Sequence, residues 1–219
     1  MYRCETTSVP AFIQQLAVCY IGRGYLFYVT GRVPERKDPR QVDAKLIARY
    51  GIDVSPAERC RRKQAGWGNA QYLRHGRFFA LLCTHGDHPL REGERALRDV
   101  RRVSLKYGGY EVTCRGGHPR VSIERGEYRR RKAHFVELAA RRTAEELAKA
   151  LGNLPFEPYA PVRRQLLAIL RAVNAVRASQ GLPGVEKSCL RLRRKIYRPF
   201  AEGDAGRTRT ETQAKTPAA

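Results

Sequence analysis

Two imidazoles and a carboxylate sit within the run Thr84-His85-Gly86-Asp87-His88, directly after an apolar stretch. Such donors can hold a divalent metal. On a regular strand His85 and His88 would face opposite sides, and Gly86 between them supplies the bulge that would bring them together. Glu92, Glu94 and Asp99 follow and could complete such a site. The competing reading is a turn whose histidines bind phosphate or cap a helix.

The second chemistry is phosphate recognition. Basic clusters are spread over most of the chain: Arg59, Arg61, Arg62 and Lys63; Arg98 with Arg101 and Arg102; Arg129, Arg130, Arg131 and Lys132; Arg141 with Arg142; and Arg191, Arg193, Arg194 and Lys195. Charge distributed in this way suits a groove that tracks a phosphate backbone better than a single reading helix. Aromatic residues near these clusters (Trp67, Tyr72, Tyr107, Tyr110, Tyr128 and Tyr197) are placed to stack on bases. Phe78, Phe79 and Phe135 read as core instead.

The bulk composition agrees with a polyanion partner. The 219 residues contain 43 Lys and Arg against 21 Asp and Glu, a net charge of +22. Such an excess is rewarded on nucleic acid through counterion release and mildly destabilises a compact fold through self-repulsion. Most of it is arginine, whose planar fork matches phosphate better than an ammonium does. No run of about 18 apolar residues exists to span a membrane, and no helix presents a broad apolar face opposite its cations for lying on one. The N-terminus does not read as a secretory signal. The six cysteines, Cys4, Cys19, Cys60, Cys83, Cys114 and Cys189, include no C-x-x-C pair, which argues against a zinc ribbon and suits reduced thiols in a cytosolic protein. The expected location is therefore the cytoplasm, in association with a nucleoid or a ribonucleoprotein.

The pattern predicts an α+β fold: a small mixed or antiparallel sheet with flanking helices, with a ferredoxin-like arrangement among the options. A helix is expected over Phe12 to Tyr20 and a strand over Tyr25 to Thr30. Asp38-Pro39 opens a helix stopped by Gly51, and Ser55-Pro56-Ala57-Glu58 is a capping box for a second. Gly66 to Asn69 is a turn, Arg77 to Thr84 a buried strand, and Leu90 to Val100 a short charged helix. Val103 to Tyr107 and Tyr110 to Cys114 form a hairpin about Gly108-Gly109, followed by a strand from Arg120 to Glu124. Helices are expected over Glu127 to Arg142, from a capping box at Thr143 to Gly152, and from Pro161 to Gly181. Ser188 to Phe200 is short enough for a strand or a helix. The organisation reads as a nucleic-acid-binding core over 1–125, a basic helical part over 126–200 and a disordered tail over 201–219.

The order of motifs resembles the HUH class of single-strand nicking enzymes, the rolling-circle replication initiators and related transposases. Phe27-Tyr28-Val29-Thr30 is similar to the first motif of that class, His85 and His88 to the paired histidines, and Tyr128 to Lys132 to the helix with a nucleophilic tyrosine and a lysine. The resemblance runs from Tyr25 to Lys132. It implies that His85 and His88 hold a Mg or Mn ion that polarises the scissile phosphate. It also implies that Tyr128 attacks that phosphate to leave a covalent phosphotyrosine. Two departures accompany it: the histidines are separated by Gly and Asp rather than by one hydrophobic residue, and the tyrosine-to-lysine spacing is one residue longer.

A ferredoxin-like endoribonuclease is the other enzymatic alternative, with His85, His88 or His118 as general acid or base and the loops Gly108-Gly109 and Gly116-Gly117 holding phosphates. The leading expectation is a DNA- or RNA-binding protein with a broad arginine surface, serving as an accessory or processing component of a mobile-element or RNA-guided system within a larger nucleoprotein complex. If the chain is an enzyme, its chemistry is nuclease or phosphodiester transfer.

Overall fold

The computed structural model describes residues 2–94 and 96–200, so the tail expected over 201–219 lies outside the described residues. Ser8 starts the first helix, α1 (Val9–Gln14), by accepting a hydrogen bond from the Ala11 amide. The helical path continues through a π-type stretch, Gln15–Tyr20, and a tight turn, Ile21–Arg23, that ends at Gly24. Its apolar residues Phe12, Ile13, Leu16, Ala17 and Ile21 are buried. The helix expected over Phe12 to Tyr20 therefore forms. Strand β1 (Phe27–Arg32) starts two residues later than expected, because the Tyr25 amide is still bonded to the Tyr20 carbonyl at the helix exit.

Helices α2 (Pro39–Arg49) and α3 (Pro56–Gln64) follow, capped by Asp38 and Ser55. Only half of the box expected at Ser55 forms. Its hydroxyl accepts from the Glu58 amide, but the Glu58 carboxylate turns to Arg61 and Arg62 instead of the cap backbone. Strands β2 (Ala70–His75) and β3 (Phe78–Cys83) make a hairpin, and α4 (Pro89–Gly93) leads to a two-residue strand, β4 (Arg98–Asp99). The sheet order is β2-β3-β1-β4, antiparallel throughout. A β-α-β-β-α-β path with that order is the split βαβ, or ferredoxin-like, arrangement. The helix expected over Leu90 to Val100 is confined to its first turn: the chain then extends so that Arg98 and Asp99 can pair with Tyr28 and Phe27.

The register of this sheet divides its side chains between two cores. Tyr28, Leu82, Leu73 and Ala80 face the main core, while Phe27, Leu81, Cys83, Ala70 and Tyr72 face a smaller one closed by Tyr50, Ile52 and Leu90. Both faces are covered over most of their area, and Phe27, at the start of β1, is only half-buried.

A second sheet, in order β5-β6-β7, is built from β5 (Leu105–Tyr107), β6 (Tyr110–Arg115) and β7 (His118–Ile123). Its two-residue turns, Gly108-Gly109 and Gly116-Gly117, all take positive φ, as turns that match strand twist require. Helices α5 (Arg125–Leu138), α6 (Ala144–Gly152) and α7 (Ala160–Ser179) are the last α-helices among the described residues, and the Thr143 capping box is fully formed. Residues from both the 1–125 and 126–200 segments contribute to the main core, Leu82 and Val112 beside Phe135 and Val173.

Ser188 to Phe200 is neither the strand nor the helix expected of it. After a three-residue turn at Lys187–Cys189 it runs extended, meeting other backbone through a bridge between Phe200 and Thr6. The reason is Glu157, only 1% exposed, whose carboxylate accepts from the Arg191 guanidinium, the Lys195 amide and the Tyr197 hydroxyl. Gln14 adds two hydrogen bonds to the Tyr197 backbone. A lone buried carboxylate thus dictates the course of the basic segment.

Arg177 plays the same part at the end of α5. It is 2% exposed and donates to the carbonyls of Ala139, Arg142 and Pro183. Its charge sits where the α5 macrodipole is negative. Arg177→Met should strand these carbonyls and lower stability by roughly 3 kcal/mol, a fall of roughly 6–12 °C in melting temperature for a chain of this size. Thermal unfolding followed by circular dichroism checks this.

Candidate nucleic-acid interface

Phe27 begins β1 beside the edge strand β4, and two guanidinium groups and an imidazole gather on its ring. The Arg91 guanidinium carbon lies 4.6 Å from the ring centroid and that of Arg101 lies 5.7 Å away. The His85 imidazole meets it edge-on at 4.7 Å. Around this ring opens a cleft of about 780 Å³, lined also by Gly86, Asp87, His88, Arg98 and Arg102. Arg91, Arg98, Arg101 and Arg102 are all exposed.

Three acids, Asp87, Glu92 and Asp99, share the lining. Asp99 is matched to Arg101, which donates to both of its oxygens, and that contact holds its carboxyl below the ordinary range. Arg91 is steadied by the Gly86 carbonyl at 3.0 Å. Beyond Arg101 the surface dips again into a concavity of about 490 Å³, lined by Leu26, Arg115, Gly116 and Gly117 and sharing Arg101 with the first. The two together form a basic path over the junction of the sheets.

The paired histidines do not converge. His88 is buried at 5% exposure and caps α4: its Nδ1 accepts from the Leu90 amide at 3.1 Å, while the ring also hydrogen-bonds the Tyr50 carbonyl. With both nitrogens engaged, His88 has none for a metal. His85 is exposed and leans on Phe27. Among the described residues no group of three or more His, Cys, Asp or Glu is placed to hold a metal ion. The site therefore does not fit the Mg or Mn ion that the HUH resemblance implies, and the capping alternative describes His88.

Burial is the chief cause that pushes the His88 imidazole below its ordinary 6.5. A histidine held neutral in the fold but free to protonate when unfolded stabilises the fold above 6.5, and that contribution is lost as pH falls below it. Melting temperature should therefore fall from about pH 7.5 to about pH 5.5. His75, also lowered by burial, shares in the effect. His88→Asn, which keeps an acceptor at the cap, should flatten part of this fall.

Tyr128 lies on α5, half-buried against the main core, while His88 belongs to the other side of the first sheet beside Tyr50. Of its basic neighbours, Arg130 and Arg131 are both held by Glu127, at 2.6 and 2.7 Å; Arg129 is exposed and Lys132 half-exposed. On α3, Arg59 and Arg62 turn back to the carbonyls of Ile52 and Gly51, whereas Arg61 and Lys63 are exposed. In the C-terminal segment Arg191 is tied to Glu157 and Arg194 lies over the Tyr159 ring at 4.9 Å, leaving the exposed Arg193 and Lys195 beside them. Trp67, on the turn before β2, is 60% exposed.

Sequence reasoning singled out Arg101 and Arg102 for phosphate but missed Phe27 and Arg91. The available signal was the aromatic at the start of β1 just after the Gly24 turn, and the arginine two residues into a proline-led helix. No residue pattern links them without the pairing of β1 with β4. Among the described residues no helix is long and apolar enough to cross a membrane, and all six cysteines are free thiols. No protein-family model matches the chain, and no curated protein or solved structure matches it either.

Proposed function

We propose that this protein binds nucleic acid, with the phosphate backbone running through the basic cleft and past Arg101 towards Gly116-Gly117. The observation that carries the reading is the set of four exposed arginines, Arg91, Arg98, Arg101 and Arg102, around the Phe27 ring in one concavity. Guanidinium groups supply backbone attraction, and the ring offers an apolar surface for a base or sugar. The net charge of +22 supports it, since counterion release supplies most of the affinity of such contacts.

Binding rather than cleavage is the better-supported activity. A nickase would need His85 and His88 on one metal, and the His88 nitrogens are engaged elsewhere. A ribonuclease would need an imidazole poised in the cleft; the histidine that lines it is the buried His88, while the exposed His85 meets the Phe27 ring edge-on. The protein then acts as an accessory component of a nucleoprotein assembly, in the cytoplasm beside a nucleoid or ribonucleoprotein. The test is a titration of labelled oligonucleotides followed by anisotropy, with a denaturing gel of the same samples. Salt-sensitive binding with intact strands is expected; failure to bind even at low salt would remove the reading.

A further inference from the structure

We infer that Trp67 is a stacking platform for an unpaired base, so that the cleft takes its polynucleotide as a single strand. This rests on the reading of the cleft given above and adds the state of the ligand. Trp67 is the one tryptophan of the chain, and its side chain stands 60% exposed. Burying so large a ring contributes about 25 cal/mol per Å². A fold that leaves it in water forgoes that gain.

The ring is exposed but its backbone is fixed. The Trp67 amide donates to the Arg62 carbonyl at 2.8 Å, and the Gly68 amide donates to the Asp87 carbonyl at 2.9 Å. Trp67 and Asp87 also form a parallel bridge. Gly86 lets the two loops interlock: a Cβ there would lie 2.4 Å from the Gly66 carbonyl oxygen and 2.6 Å from backbone atoms of Trp67 and Gly68. Its φ of +105° is one that other residues rarely adopt.

Gly86 and Asp87 are also part of the cleft wall. The Trp67 turn is therefore bolted to the rim of the arginine cleft, and the exposed Arg61 and Lys63 on α3 precede it. A pre-positioned indole loses little freedom on contact, which favours binding. Bases in a duplex are already stacked on one another, whereas an unpaired base has a free face, and every base has one. The platform therefore selects single strands without reading sequence.

The single tryptophan makes the test direct. The protein is titrated with a mixed-sequence oligonucleotide of roughly 12 nucleotides, as DNA strand, as RNA strand and as blunt duplex, while oligonucleotide anisotropy and tryptophan emission are recorded together. Quenching should track anisotropy for a single strand, and the tighter of DNA and RNA identifies the sugar. The duplex should leave emission unchanged. Trp67→Ala should weaken single-strand binding by about tenfold and Trp67→Phe by much less, both with unaltered melting temperature. Rising anisotropy with constant emission and full affinity in Trp67→Ala would overturn the platform while leaving the cleft reading intact. Equal quenching by duplex would overturn the single-strand assignment. No anisotropy change with any probe would remove the cleft reading and this inference together.

Discussion

Asp43→Ala should remove roughly 3–5 kcal/mol of folding stability, the typical result of leaving one member of a buried ion pair without its partner. Arg74 is 2% exposed and its Nε lies 2.9 Å from both Asp43 oxygens. The Tyr72 hydroxyl donates to Asp43 at 2.6 Å, and the Cys4 thiol is within 3.5 Å. Burial and the neighbouring Asp43 carboxylate push that thiol up to about 12. Removing Asp43 leaves the guanidinium only Glu5, at 2.9 Å and more than half exposed, and the Gly76 carbonyl. The loss should therefore fall towards the lower end of the range. Replacing the pair together, Asp43→Leu with Arg74→Met, should recover much of it, because no charge is then left buried alone. Urea unfolding of the two variants checks both statements. A single variant as stable as the parent would contradict this account of α2 docking on β2.

The second large effect belongs to the cleft. Arg98→Glu with Arg102→Glu replaces two exposed cations by anions; the one core contact it removes is that of Arg98 with the Tyr28 hydroxyl, which keeps the Val103 and Ser104 carbonyls as acceptors. Charge-assisted contacts to phosphate contribute about 1.5–3 kcal/mol each. The double variant should therefore lose roughly 100-fold or more in affinity for any oligonucleotide, with only a small fall in melting temperature from the lost Arg98–Tyr28 contact. Titration by anisotropy reads the first and calorimetry the second. The loss should be uniform across sequences, since phosphate contacts position a strand without specifying it.

The helices were legible in the sequence where local chemistry alone sets them. Asp38-Pro39, Ser55-Pro56 and the Thr143–Glu146 box mark starts that the structure places within a residue or two. The glycine pairs of the second sheet were equally plain. Strand β2 was not read, because Gln71, Arg74 and His75 break any apolar alternation. Its polar residues are satisfied by partners far along the chain: Gln71 by Tyr2 and Tyr25, Arg74 by Asp43 and Glu5. The course of Ser188 to Phe200 was hidden for the same reason, since nothing near it announces Glu157.

The site was partly legible. Arg101, Arg102 and Trp67 stand out by residue type and exposure-prone neighbours. Phe27 and Arg91 join them only through strand pairing and the α4 cap. His85 and His88 attracted a metal reading because spacing alone does not reveal that a helix start one residue later would draw His88 into capping. Arg130, Arg131 and Arg191 illustrate the converse: a cluster of cations in sequence includes members already paired with Glu127 or Glu157.

The central claim is that the cleft, rather than the overall positive charge, holds the strand. The salt dependence of binding tests it most directly, compared between the parent, Arg98→Glu with Arg102→Glu, and a control, Arg164→Glu with Arg171→Glu, whose residues are exposed on α7. All else equal, both double variants change the net charge by the same amount. Each phosphate contact adds about 0.7 to the slope of log affinity against log salt for a single strand. The cleft variant should lower that slope by roughly 1.4, while the control keeps the parent's slope. Equal losses in both variants would contradict the account and leave the charge acting as a diffuse field without a site.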